Sequence, residues 1–481
     1  MAIEVILATL GRSVRVEVMS TVAFEDLLEK ARAIFGPRVQ KLIYPDGSIM
    51  NPLHIIQENS VIQVVMGALL IHACHEVFAA VKPDGSVVTW GSPLDGGNST
   101  AVQDQLTSVQ AIYSTRGALA ALKSDGSVVT WGAADAGGSS RAVRDQLTNV
   151  RAIYTGEVAF AAVKSDGSVV TWGDGNEGGD SRAVQDQLVN VQAIYSTGAA
   201  FAAVKSDGSV VTWGCKWVGG DSRAVQDQLT NVRAIYNTQQ AFAAVKHDGF
   251  VVTWGRVFFG GDSSAVQDQL RSIHTIYSNE VAFAAVKSDG FVVTWGGKFF
   301  LNDDDNLNRG GDSTRVQAQL TNVRAIYSTL ECFAALKSDG SVVTWGPTAS
   351  GGDSTAVQGQ LVNVRSISST KESFAALKSD GSVVTWGGAD CGGDSIAVQA
   401  QLAHVQTVSS TSWGAFAAAK SDGSVVTWGG ATVGGDSRAV QDQLVNVQAI
   451  YSTKGAFAAV KADGSIVAWG HVFAGGDISY P

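Results

Sequence analysis

At 481 residues, 45% of them hydrophobic, the chain has room for more than one domain and enough apolar mass for a packed core. Its 54 glycines beside 7 prolines fit many tight turns better than disorder. A formal net charge of −10 argues against nucleic-acid binding, which needs a basic face.

The start, MAIEVILATLGRSVRV, lacks the charged lead and continuous apolar core of a signal peptide, and no stretch is apolar for long enough to span a bilayer. Cys74, Cys215, Cys332 and Cys391 form no C-x-x-C pair, so zinc is not expected. Four thiols spread over such a length point to a reducing compartment, intracellular and either cytoplasmic or nuclear. Neither a membrane nor a cofactor is implied.

In chain order, MAIEVILATLGRSVRVEV reads as a strand, a turn at Gly11 and a second strand. Phe24 to Phe35, FEDLLEKARAIF, has helical spacing of apolar residues. QKLIYPDG and SVIQVVM, Ser60 to Met66, follow as further strands.

From there a single phrase recurs. Trp-Gly occurs at Trp90, Trp131, Trp172, Trp213, Trp254, Trp295, Trp345, Trp386, Trp428 and Trp469. Seven of the nine intervals are 41 residues, one is 50 and one is 42. A period near 41 is the mark of a propeller blade or solenoid turn. Within each unit, VQAIYS and FAAVK read as strands one and two, and SVVTWG as strand three. Asp-Gly between strands two and three predicts a two-residue hairpin with both central residues at positive φ. The Ala pairs beside Phe suit closely packed neighbouring sheets.

Three strands run up, down and up, so GGDSRAVQDQL must return the chain to the bottom. Val225 and Leu229 are four apart, which fits a helical turn better than alternation, and the connector's secondary structure stays open. The same parity places the strand one–two loop and the segment after Trp-Gly on one face, the top, and the Asp-Gly turns on the other. The bottom turns are nearly constant and the top segments vary. That is the layout of a recognition surface, or of drift at unconstrained loops.

The units resemble the regulator-of-chromosome-condensation repeat family. The resemblance rests on V-x-A-I, then F-A-A-V-K-x-D-G-S-V-V-T-W-G, then G-G-D-S, seen in full from Val191 to Ser222. Best-known members have longer repeats and seven blades; the short form here looks like members that cover a protein partner with one face. The resemblance implies a mainly β propeller fold, and the ten repeats are expected to close as one ring with contact between the first and tenth units, because a seven-plus-three split would leave raw edges and no linker marks it. Residues 1–67 are similar in element order and length to ubiquitin, which implies an α+β β-grasp domain before the propeller at 68–481. By that likeness Leu10, Ile43 and Val65 fall at or near ubiquitin's apolar recognition patch, and one or more of them can equally be core. The missing connector after Gly475-Gly476-Asp477-Ile478 would fall where the two domains join.

No constellation points to catalysis. Ser-Asp-Gly-Ser follows the fold as turn chemistry, and Gly-Gly-Asp-Ser lacks the Lys and helix of a phosphate loop. The histidines show no metal spacing, and Asp303-Asp304-Asp305 does not fit a calcium loop. The expected function is a non-enzymatic scaffold that binds a protein partner and is linked to the ubiquitin system through its receptors. The rivals are a small-GTPase regulator of exchange type and a substrate-recruiting subunit of a ubiquitin ligase. The expected contact residues are Lys216, Trp217 and Val218; Arg256, Phe258 and Phe259; and Lys298, Phe299, Phe300 and Leu301, on the top loops of units four to six. The competing reading folds these side chains inward to plug a wide central channel.

Overall fold

The computed structural model describes residues 2–9, 12–19, 39–43, 60–66, 69–300 and 306–478. Four N-terminal strands, β1 (Ala2–Thr9), β2 (Arg12–Met19), β3 (Val39–Ile43) and β4 (Ser60–Met66), form one mixed sheet in the order β2-β1-β4-β3. β1 and β4 pair in parallel at its centre, Val5 opposite Ser60, and the outer pairs are antiparallel. The expected helix at 24–35, the turn at Gly11, and Leu10 lie outside the described residues.

The rest is mainly β: ten antiparallel three-stranded sheets, one per unit, in the manner of a β-propeller. In unit four, strand one (Val191–Ser196) pairs with strand two (Ala200–Lys205), which pairs with strand three (Val210–Gly214). Strand two is buried on both faces, and its alternation explains the small residues. Ala200, Ala202 and Val204 face unit five, where Phe242, Trp254, Ile235 and Leu229 fill the space. Phe201 and Ala203 face back to unit three. One face is a shallow Ala floor and the other carries a Phe knob, so neighbouring sheets interlock at crystal-like density. In nine units that Phe stacks on the Trp of the same sheet, ring centroids 5.0–5.2 Å apart; unit two has Leu119 instead.

The connector is built of 3₁₀ turns, as in Arg182–Gln187. Each part of its sequence has a task. The first Gly of Gly-Gly-Asp-Ser takes a left-handed φ, +101° at Gly178, and lies against the next unit's Phe201, where a Cβ would sit 2.4 Å from the ring. Its carbonyl accepts from the next unit's indole, Trp213 Nε1 to Gly178 O at 3.0 Å. The Asp caps the turn, Asp180 Oδ1 accepting from Arg182 N at 3.0 Å. Ser181 Oγ meets Thr171 Oγ1 at 3.0 Å and Gln185 Oε1 at 2.9 Å, and Gln185 Nε2 donates to Val169 O at 3.0 Å. Leu188 then plugs the core between the units.

The bottom turn departs from the expected form. Only the Gly has positive φ, +76° at Gly208. Lys205 N donates to Ser209 O and Gly208 N to Lys205 O, both at 2.9 Å, which makes a three-residue loop with a Gly bulge. The reason is tertiary: Gly208 O must accept from Val232 N of the next unit at 2.9 Å. A Cβ on Gly208 would meet Asn231 Cα at 3.0 Å.

Units ten and one are in contact. Trp90 Nε1 donates to Gly475 O at 3.2 Å, and Phe78, Ala80 and Trp90 share a buried cluster with Ala456, Ala458 and Ala474. The ten Trp-Gly tryptophans therefore each donate to the preceding unit's Gly-Gly carbonyl, at 2.8–3.2 Å, with unit ten preceding unit one.

Candidate functional site

Two loop sets meet on the top face, and one threonine ties them together. Thr197, in the strand one–two loop, accepts from Ala200 N through its hydroxyl at 3.1 Å and donates to Val218 O at 3.0 Å. Thr238 does the same for Ala241 N and Phe259 O, at 3.1 and 2.8 Å. The varying top loops thus stand on constant hydrogen bonds, as a preorganised surface requires.

The strand one–two loops surround a central cavity of about 610 Å³ lined from nine of the ten units. A belt of backbone hydrogen bonds runs round it. Arg116 N donates to Glu157 O at 2.7 Å, Glu157 N to Gly198 O at 2.8 Å, and Gly198 N to Gln239 O at 2.9 Å. The belt continues through Glu280, Leu330 and Lys371 and reaches Lys454 N donating to His75 O at 2.9 Å. The side chains at this mouth carry both signs. Burial, then the charges of Lys454 and Arg116, hold His75 down to about 4. Burial and Arg116 lower Lys454 as well. Across the mouth, burial and then Glu331 and Glu157 raise the Glu280 carboxyl. Arg309 pairs with Glu331 at 3.0 Å.

The segment after Trp-Gly is a short 3₁₀ turn ended by a left-handed Gly, as in Lys216–Val218 before Gly219. Its geometry sorts the expected contact residues by position. The residue just before the closing Gly turns inward and the two before it turn outward. Trp217 is 72% exposed with Lys216 Nζ 4.8 Å from its ring centre, while Val218 is half-buried against the core between units four and five. Phe258 is 41% exposed, but Phe259 is only 7% exposed and belongs to the core between units five and six. Phe259 is thus corrected from a contact residue to a packing residue. It fills its own junction and does not reach the central cavity. Arg256 is engaged within the fold, its guanidinium 5.4 Å from the Phe259 ring centre and donating to Gln240 Oε1 at 2.7 Å. Val257, which hydrophobic-aromatic patterning passed over, is exposed in its place.

The long interval after Trp295 forms a hairpin. Lys298–Phe300, which holds Lys298, Phe299 and Phe300, pairs with Asn306–Asn308, Phe299 opposite Leu307. Leu301 and Asp303 to Asp305 lie outside the described residues. Ile43 and Val65 sit on neighbouring strands β3 and β4, where Ile43 pairs with Gln63 and Val65 with Lys41. Among the described residues no group of three or more His, Cys, Asp or Glu side chains could hold a metal, and no helix is long and apolar enough to cross a membrane.

No family model and no curated protein matches this sequence. Among solved structures it is similar to the computationally designed Ika8 protein, at 13% identity over 67% of this chain and 96% of that one, with a TM-score of 0.29. It is similar to yeast RCC1 (Prp20), solved with Kap60 bound, at 17% identity over 52% of this chain and 72% of that one, TM-score 0.31. Human WBSCR16 matches at 16% identity over 64% of this chain and 84% of that one, TM-score 0.31. Identities and scores this low leave the architecture to rest on the chain's own sheets and junctions.

Proposed function

We propose that this chain is a non-enzymatic protein-interaction module in which ten blades, residues 68–481, close into one ring that holds a protein partner on its top face. The observation that carries the reading is Trp217, Val257 and Phe258 exposed on adjacent loops whose bases are fixed by the Thr197 and Thr238 hydrogen bonds. Large apolar side chains at neighbouring loop tips form a patch, and such patches mark interfaces. Closure of the ring is supported by the Trp90–Gly475 bond and the cluster shared by units one and ten. The four cysteines are free, which supports a reducing intracellular setting.

Residues 1–67 make, in this proposal, a ubiquitin-like domain that engages ubiquitin-pathway receptors through Ile43, Val65 and Leu10. The support is the sheet order with its first and last strands parallel at the centre, the β-grasp arrangement that the likeness to ubiquitin implies.

The test replaces Trp217 and Phe258 with Ser in the full chain and compares affinity-captured partners by mass spectrometry. The expected result is loss of the main partner with a melting temperature within about 2 °C of wild type, since exposed substitutions change stability little. Retention of every partner would overturn the reading. Ile43→Ala in the full chain, assayed against proteasomal ubiquitin receptors, tests the second contact separately.

A further inference from the structure

The ten bottom turns form an internal control. Eight carry Ser after Asp-Gly, and two carry Phe: Phe250 in unit five and Phe291 in unit six. In a Ser unit, Asp207 Oδ1 accepts from both Ser209 N and Ser209 Oγ, at 2.9 and 2.6 Å. In units five and six only the backbone half survives, Phe250 N to Asp248 Oδ1 and Phe291 N to Asp289 Oδ1, each at 3.1 Å. A hydroxyl bond has been exchanged for an aromatic ring in solvent, twice, in adjacent units. Phe250 is 42% exposed and Phe291 46%. Nothing in the turn requires a ring there, because eight sister turns form without one.

The two turns are tied together by two adjacent residues. Ile273 N donates to Gly249 O at 3.4 Å, and Ser288 N donates to Ser272 O at 2.9 Å, so Ser272 and Ile273 fix the spacing of the two aromatic turns. The residue before them also departs from the repeat. The other eight connectors have Thr, Val or Ala at this place, and this one has Arg271. Its guanidinium lies 5.4 Å from the Phe250 ring centre, exposed, and makes no ion pair among the described residues. Three departures from a tenfold pattern therefore converge on one spot.

We propose that Phe250, Arg271 and Phe291 form a second interaction surface, on the face opposite the Trp217–Phe258 loops, that receives an acidic partner segment carrying apolar side chains. Charge selects the occupant. Among the described residues Arg271 and Lys246 make no ion pair, and His247 and His274 are exposed on the same two units, on a chain of net charge −10. The carboxylates of the two turns are engaged: Asp248 and Asp289 hold their own turns, and Asp289 also faces Lys287 at 3.6 Å. Two rings at fixed spacing hold apolar side chains, and a stacked, exposed Arg presents its donors to a carboxylate.

The probe is a fluorescein-labelled twelve-residue peptide alternating Leu and Glu, followed by anisotropy against the full chain. Companion peptides replace Glu with Lys, or Leu with Ser. The variant F250S/F291S installs the residue that eight sister turns use, so the fold is retained, and R271T does the same for the connector. The expected result is binding of the Leu-Glu peptide that is at least tenfold weaker for either companion peptide and for F250S/F291S. R271T should narrow the preference for Glu over Lys. W217S/F258S should bind as wild type does, which separates this surface from the top face whatever becomes of the reading above. Equal binding by wild type and F250S/F291S would overturn the proposal. So would concentration-dependent dimerisation in gel filtration that F250S/F291S abolishes, since the occupant would then be a second copy.

Discussion

Nine junctions between neighbouring units share one design, and at the tenth, between units ten and one, the described residues supply the top half of it. At the junction of units four and five the top is held by the Gly219–Phe242 contact and the Trp254 bond to Gly219 O. The bottom is held by the connector, with Leu229, Val232 and Ile235 in the core and Asn231 against the Gly208 turn. At the tenth junction the top half is complete: Gly475 packs on Phe78, and Trp90 donates to Gly475 O. The segment that would complete its bottom half, residues 67–68, lies outside the described residues. Among the described residues no heavy atom lies within 4 Å of where a Gly464 Cβ would stand, whereas the nine other turn glycines meet a backbone Cα at 2.8–3.1 Å. The comparison teaches that each junction combines two devices, a top clasp of Gly, Phe and Trp and a bottom plug supplied by the connector. Among the described residues, units ten and one are held by the clasp, with Leu69, Ile71, Ala73, Tyr451 and Ile466 half-buried beside it.

Breaking the clasp should have the largest effect. Gly178→Ala puts a Cβ 2.4 Å from the Phe201 ring at a φ of +101°. The expected cost is about 3–5 kcal/mol, from left-handed strain added to overpacking, read as a fall in melting temperature. Removing the plug comes next. Leu229→Ala leaves a cavity in a fully packed junction and should cost about 3 kcal/mol in a urea titration. Among the described residues no Leu stands at the equivalent place between units ten and one. Amides there, such as Lys454 N, should therefore exchange with deuterium before those of the Gly198 junction.

The indole bond sharpens the comparison on a smaller scale. Trp213→Phe keeps the stack on Phe201 but leaves the Gly178 carbonyl without its donor, and should cost about 1–2 kcal/mol. Trp90→Phe should cost less, because its bond is longer, 3.2 against 3.0 Å. Equal costs would show that the tenth junction is as tight as the rest. The smallest effect belongs to the connector caps. Hydrogen bonds from Arg182, Arg223 and Arg438 hold Asp180, Asp221 and Asp436 at about 2, below the usual 3.8. A depressed carboxylate pKa stabilises the fold above pH 4, and that contribution is lost as the pH falls through 2. Replacing all three aspartates with Ala should flatten the drop in melting temperature between pH 4 and pH 2. An unchanged acid limb would show that these exposed caps contribute nothing.

The sequence by itself determined the ten units, their three strands, the antiparallel pairing within each unit and the face on which the loops vary. It could do so because Trp-Gly spacing, period-two alternation and Asp-Gly turns are local signals, and ten copies average out the noise in any one of them. It also pointed to Trp217 and Phe258. Only the tertiary structure decided which loop residue turns inward. Val218 and Phe259 face the neighbouring sheet because each precedes a left-handed Gly that ends a 3₁₀ turn, and residue type carries no trace of that direction. The bottom turn differs from the expected hairpin for the same reason. Asp-Gly alone favours a two-residue hairpin, but Gly208 has to give its carbonyl to Val232 of the next unit, and that inter-unit bond selects the three-residue form. What a residue does within its own strand is written in its neighbours in sequence. What it does at a junction depends on a chain segment about 41 residues away, and there packing decides.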